Sequence, residues 1–250
     1  MEIKMKKVII ISDAHLEAES PIHPSYKLAK KFIQNQKPDI LILLGDMLDF
    51  SYISTYNKDK LLLLEGKRFQ KDYDLLNKEL DFFQKYSKKQ VYLSGNHEQR
   101  IERVLEKQPH LLNMIELQNH LDLDKRNIEY ITTKQQVEKP YCIGSLYFIH
   151  GIWFNKYAAE KTLSRFAVNI IIGHTHRQQK YSTTLLGESK EISCWNQGCL
   201  TNKLPDYNNA SEHQNGFGIA YIEKDMFSYY PIHINNANQF FFNNKLWKVK

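Results

Sequence analysis

The chain has 250 residues, 42% hydrophobic and 12% aromatic, enough apolar material for a sizeable core, which excludes an intrinsically disordered protein. Lysine and arginine total 34 against 28 aspartates and glutamates, and the net charge of +6 suits an anionic partner. Three cysteines, Cys142, Cys194 and Cys199, without C-x-x-C spacing exclude a disulfide framework and a cysteine zinc site.

The first stretch, "MEIKMKKVIIIS", has lysines before an apolar run, as an export signal would, but the run spans only Val8 to Ile11. An export signal needs about 7–15 apolar residues and a membrane span about 20, so a cytoplasmic protein with no membrane partner is expected. Val8 to Ile11 are read instead as the first strand. "HPSYKLAKKFIQNQKP" then sets Leu28, Ala29, Phe32 and Ile33 on one face of a helix that ends before Pro38. "DILILL" is a second buried strand. Phe69, Tyr73, Leu76, Leu80 and Phe83 alternate steps of four and three along a second amphipathic helix. "QVYLS" follows as a strand, and the helix predicted from His97 to Leu121 breaks near Pro109. "SLYFI", the helix "FNKYAAEKTLSRFA" and "NIII" complete an alternation expected to form a parallel βαβ sheet. From about residue 180 the texture changes to short strands, "KYSTTLL", "KEISCWN", "GFGIAYIEKD" and "FSYYPIHI", typical of antiparallel hairpins. No Pro-, Gly- or Ser-rich spacer divides the halves. One domain with two sheets over residues 1–234 is expected, followed by a tail, 235–250, without clear period.

The residues after the early strands share a chemistry that strand propensity does not require. They are "SDAH" (Ser12 to His15), "GDMLD" (Gly45 to Asp49), "GNHE" (Gly95 to Glu98), "HG" (His150, Gly151) and "GHTH" (Gly173 to His176). Carboxyl ends of parallel strands lie side by side, and open α/β sheets place ligands there. Carboxylates crowded together repel unless paired or metal-bound, and mixed imidazole and carboxylate donors suit Zn, Fe or Mn. A pair of ions sharing one carboxylate fits this donor set. Gly45, Gly95 and Gly173 are expected to take backbone angles closed to other residues and so aim the side chains that follow.

The ordered series D-x-H, G-D-x-x-D, G-N-H-E, H-G and G-H-x-H, residues 13 to 176, resembles the signature of the calcineurin-like metallophosphoesterase superfamily. "GNHEQR" and "HPSYKLAKKF" are similar to stand-alone members from bacteria and their phages. The resemblance implies an α/β fold: a four-layer α/β/β/α sandwich with two mixed β-sheets and a metal site at the carboxyl ends of the strands. It implies two divalent metal ions, manganese first and zinc or iron next. Asp13, His15 and His176 would hold one, Asn96, His150 and His174 the other, with Asp46 bridging. His97 would act on the transition state or the leaving oxygen, with Glu98 orienting it. In "WNQGCLT" (195–201), Gln197 and Cys199 stand where many members carry the proline and serine of N-P-G-S.

Such a metal pair binds phosphoryl oxygens and activates a water, so hydrolysis of a phosphoester is the expected reaction. Arg100 has two readings, a fork for a substrate phosphate or an exposed helix arginine paired with Glu. Asp49 is either a support for the ligands or a helix N-terminal carboxylate. Phe50, Tyr52, Tyr56 and Trp153 either stack on a base or pack their loops. A phosphodiesterase or nuclease acting on nucleic acid or nucleotides is preferred on charge and loop aromatics. A phosphomonoesterase is the alternative, and a non-catalytic metal-bound scaffold a third.

Overall fold

The computed structural model describes residues 5–185, 187, 189–201 and 213–249; residues 1–4, 186 and 250 of the stretches quoted above lie outside them. In chain order the elements are β1 (Lys6–Ile11), α1 (Pro24–Gln36), β2 (Ile40–Leu44), α2 (Leu61–Leu64), α3 (Phe69–Tyr86), β3 (Lys89–Leu93) and α4 (Gln99–Lys107). Then come α5 (Leu117–His120), β4 (Glu129–Ile131), α6 (Thr133–Glu138), β5 (Tyr141–Ile143), β6 (Leu146–Ile149), α7 (Ala158–Phe166) and β7 (Asn169–Ile172). The last six are β8 (Gln178–Leu185), β9 (Lys190–Gln197), β10 (Gly216–Glu223), β11 (Met226–His233), β12 (Gln239–Phe242) and β13 (Lys245–Lys248).

Two mixed sheets result, with strand orders β11-β10-β1-β2-β3-β4 and β5-β6-β7-β9-β8. Strands β1 to β4 run parallel in register, and β10 closes on β1 antiparallel. Alternation along the strands assigns the layers. Ile9 and Ile11 of β1 and Leu41 and Leu43 of β2 face a cluster with Tyr26, Phe32, Tyr73 and Leu76 of α1 and α3. Val8, Ile10, Ile40 and Ile42 face the opposite way, onto Leu146, Phe148 and Ile171 of the second sheet. The far side of that second sheet, with Ile149, Ile170 and Ile172, packs on Ala158, Ala159 and Leu163 of α7. Three apolar interfaces therefore separate four layers, as the resemblance implies.

Two expectations are corrected. "SLYFI" and "NIII", read as a continuation of the first sheet, are β6 and β7 of the second, so the switch of sheets falls at β5 and not near residue 180. Strands buried on both faces show no period, and nothing in their pattern says which sheet they join. The tail, in turn, contains the β12–β13 hairpin, where Phe240 is 5% exposed and Trp247 4%. Trp247 stacks on Phe240 and meets the Phe32 ring edge-on at 5.0 Å. Its period is masked because Phe241, exposed, sits between the inward-facing Phe240 and the partly buried Phe242. Trp247→Ala is expected to cost about 3 kcal/mol, lowering Tm by roughly 6–12 °C in a thermal melt.

Candidate metal centre

The carboxyl ends of β1, β2, β3, β6 and β7 meet at the junction of the two sheets. The turns after β1 and β2 are zipped together by backbone hydrogen bonds: Asp13 N donates to Gly45 O (3.0 Å), His15 N to Asp46 O (3.0 Å) and Leu16 N to Met47 O (2.8 Å). Within this frame Asp13, His15, Asp46, His174 and His176 all have positive φ, between 45° and 68°. Left-handed backbone at non-glycine residues costs of order 1–3 kcal/mol each and clusters at functional sites. Of the three glycines expected to supply such angles only Gly45 does, at φ +84°. Gly95 and Gly173 serve by lacking a side chain, since a Cβ would collide with Asp46 Oδ1 at the first and with Asp13 Oδ2 at the second.

The expected metal ligands come together in two adjoining groups. Asp13, His15 and His176 form one; Asp46, His150 and His174 form the other, with donor atoms within 4.8 Å of one another in each. Asn96 joins the second through Oδ1, 3.2 Å from His150 Nε2. Asp46 lies between them: its Oδ2 is 3.2 Å from His150 Nε2 and 3.8 Å from His15 Nε2, while its Oδ1 accepts from His97 N at 2.9 Å. Asp13 is fixed from below by His174 N, which donates to both carboxylate oxygens.

Three of the four candidate ligand histidines share one orientation. His150 Nδ1 faces Leu44 O at 2.8 Å, His15 Nδ1 faces Asp49 Oδ1 at 3.2 Å and His176 Nδ1 faces His213 Nε2 at 2.9 Å. Each Nε2 is thereby turned into the cluster. The Nε2 atoms of His15 and His176 face each other across 3.0 Å. Two rings with their protons on Nδ1 would meet there lone pair to lone pair, an arrangement that a cation between them relieves. Donors sharing one ion at bond lengths near 2.0–2.2 Å stand roughly 3.0–3.3 Å apart, so this spacing, and the 3.2 Å from His176 Nε2 to Asp13 Oδ1, fits a metal.

The electrostatics agree. Burial would raise the Asp46 carboxyl, but His150, His97 and His15 override it and hold it well below the usual range. Asp13, equally buried, is held low chiefly by His176 and His150. Burial pushes His15 and His174 down to about 4, helped by His97 and His150 respectively, so both rings are neutral at pH 7 and need lose no proton to become ligands. Burial opposes a charge on His150 as well, but the Asp46 carboxylate outweighs it and pushes this ring up to about 10. The buried carboxylates of the cluster thus favour positive charge beside them.

Glu98 departs from its sequence-based reading, whereas Asp49 takes the first of its two. Glu98, expected to orient His97, is 2% exposed and faces the chain instead. Its Oε1 accepts from Met47 N (2.8 Å), Leu48 N (3.2 Å) and Tyr92 Oη (2.9 Å), and its Oε2 from Asp46 N (2.9 Å) and Gly95 N (2.8 Å). The groups beside His97 Nδ1 are Asp49 O at 2.7 Å and Asp49 Oδ1 at 3.1 Å, which makes Asp49 the common support of His15 and His97. Arg100 bonds Asp49 O (2.8 Å) and places Nη2 3.1 Å from His97 Nε2, at the mouth of the site. Of the loop aromatics, Phe50 is buried in the core and Tyr52 packs edge-on against Phe69, while Tyr56 is 65% exposed. Trp153 is half-buried beside the α7 cluster.

Sequence reasoning missed Gln136 and His213. Gln136 sits on α6, whose capping box of Thr132 and Gln135 was a readable signal. Its Oε1 accepts from His150 N and its Nε2 donates to Ser94 O, tying the second sheet to the first beneath the site. No sequence signal marks His213, 37 residues beyond the ring it meets.

Two stacked sheets thus bring Asp, Asn and His donors from five strand ends to one place. Residues 6–178 match the family model of the calcineurin-like phosphoesterases, and the chain belongs to that family. It is accordingly a metal-dependent phosphoester hydrolase. The chain is 24% identical over 232 residues to the Gene 54 protein of Mycobacterium phage L5, a match covering 87% of this chain and 89% of that protein. Among solved structures, it is similar to Vps29 complexed with zinc from Entamoeba histolytica, at 13% identity and a TM-score of 0.48, covering 92% of this chain and 93% of that one. A dimetal phosphatase from Danio rerio matches at 13% identity and a TM-score of 0.46, covering 90% and 95%. Among the described residues no helix is long and apolar enough to cross a membrane.

Proposed function

We propose that Asp13, His15 and His176 hold one divalent ion, that Asn96, His150 and His174 hold a second, that Asp46 serves both, and that the substrate is a phosphodiester of a nucleic acid or nucleotide. The observation that carries the ligand assignment is the pair of Nε2 atoms of His15 and His176, turned to each other 3.0 Å apart beside the Asp13 carboxylate. Ions held there would supply Lewis acidity and a water of lowered pKa. The diester reading is supported by the net charge of +6 and by Tyr56, exposed on the loop that follows the Asp46–Asp49 turn.

His97 handles the leaving-group proton. Burial disfavours its charge, but the Asp46 and Asp49 carboxylates outweigh this and raise its pKa, against the opposing Arg100 guanidinium. Arg100 Nη2 lies 3.1 Å from His97 Nε2. A bound phosphate oxygen draws the Arg100 fork off His97, leaving Nε2 to carry a proton toward the departing oxygen.

The test is hydrolysis by the purified protein with Mn²⁺, comparing bis-p-nitrophenyl phosphate with p-nitrophenyl phosphate. Faster turnover of the diester is expected; faster turnover of the monoester would move the assignment to phosphatase substrates, and no turnover of either would remove it. His97→Ala is expected to retain bound metal, measured by elemental analysis, while kcat falls by about 10²–10⁴-fold.

A further inference from the structure

We propose that His213 is a positioning residue for the metal centre: its Nε2 accepts the Nδ1–H of His176 and so keeps the His176 Nε2 lone pair turned toward Asp13 and His15. The role rests on the ligand assignment above. A neutral imidazole has one N–H, and a ring that offers Nε2 to a metal must place its proton on Nδ1 and find an acceptor for it there. His15 has the Asp49 carboxylate and His150 the Leu44 carbonyl. For His176 the corresponding atom is His213 Nε2, at 2.9 Å, with the two rings meeting edge-on at 4.4 Å between centroids.

The acceptor is held in place by backbone, which separates it from a chance contact of surface rings. Gln214 N, the next residue, donates to His176 O at 2.8 Å, and Gln214 Oε1 accepts from Gln178 N at 2.6 Å. On the other side Cys199 N donates to Gln214 O at 3.1 Å and Gly216 N to Cys199 O at 2.9 Å. Gly198, at φ +86°, allows this approach, because a Cβ there would collide with Gln214 O. "WNQGCLT" thus seats residues 213–216 against the second histidine of "GHTH". The Cys199 thiol donates to Thr201 O at 3.1 Å.

The test titrates Mn²⁺ into the metal-stripped full chain by calorimetry for the wild type, His213→Ala and His213→Gln, with apo-protein melting temperatures as the folding control. Loss of such a supporting partner costs about 10–100-fold in metal affinity, so His213→Ala is expected to keep two sites, one weakened by that factor, with an unchanged apo Tm. Gln places an amide oxygen near the position of the lost Nε2, and His213→Gln is expected to restore affinity to within about threefold of wild type. Wild-type affinities in His213→Ala would overturn the proposal, as would equal weakening in both variants. A third equivalent bound by the wild type and lost in both variants would make His213 a ligand and also overturn it. A wild type that binds fewer than two ions would instead defeat the ligand assignment itself, which the wild-type titration reads independently of either variant.

Discussion

Asp46→Asn is expected to strip metal from both sites and to lower kcat/KM by about 10³-fold or more, while leaving the fold intact. The asparagine can keep its Oδ1 where His97 N now donates, and Asn tolerates the left-handed backbone that Asp46 adopts at φ 50°. Its amide group, however, would replace Oδ2, the atom 3.2 Å from His150 Nε2 and 3.8 Å from His15 Nε2. A carboxylate oxygen with lone pairs to offer an ion becomes an amide nitrogen that has none to give. Metal centres of this kind stabilise the transition state by several kcal/mol, and each 1.36 kcal/mol is tenfold in rate, which gives the magnitude. Elemental analysis, a thermal melt and steady-state kinetics on one preparation check all three parts. Two retained ions with full turnover would sink the bridging role.

Glu98→Ala is expected to act on stability rather than on proton transfer, and this separates the two readings of Glu98. Burial and the nearby Asp46 charge push its carboxyl upward, and the backbone N–H groups of Gly95 and Leu48 pull it back. Truncation leaves the N–H groups of Asp46, Met47, Leu48 and Gly95 and the Tyr92 hydroxyl without the acceptor they share. Each unsatisfied buried donor costs about 1–3 kcal/mol. Allowing for water entering the vacated space, the loss is on the order of 5 kcal/mol, or roughly 10–20 °C in Tm. Metal affinity falls with it, because these N–H groups define the turn that presents Asp46. An unchanged Tm with a lowered kcat would return Glu98 to the role of orienting His97.

The candidate donors were legible because their chemistry is local. Asp13, His15, Asp46, Asn96, His150, His174 and His176 each follow a β-rich run directly, and a strand end is visible in a one-dimensional pattern. Helices α1 and α3 were legible for the same reason, since a 3.6-residue period is written within one segment. The allocation of β6 and β7 to the second sheet was not, because a strand covered on both faces has no period to read. Neither was the division of labour around the ligands. Glu98 and Asp49 are both carboxylates near His97 in sequence or space, and only the path of the chain decides that the first caps backbone N–H groups while the second supports two imidazoles. The sequence by itself determined which atoms are available for a metal centre and at which strand ends they stand. Only the folded chain sets which nitrogen of His150, His15 and His176 faces inward, because the groups that meet their Nδ1 atoms, Leu44 O, Asp49 Oδ1 and His213 Nε2, arrive from 106, 34 and 37 residues away.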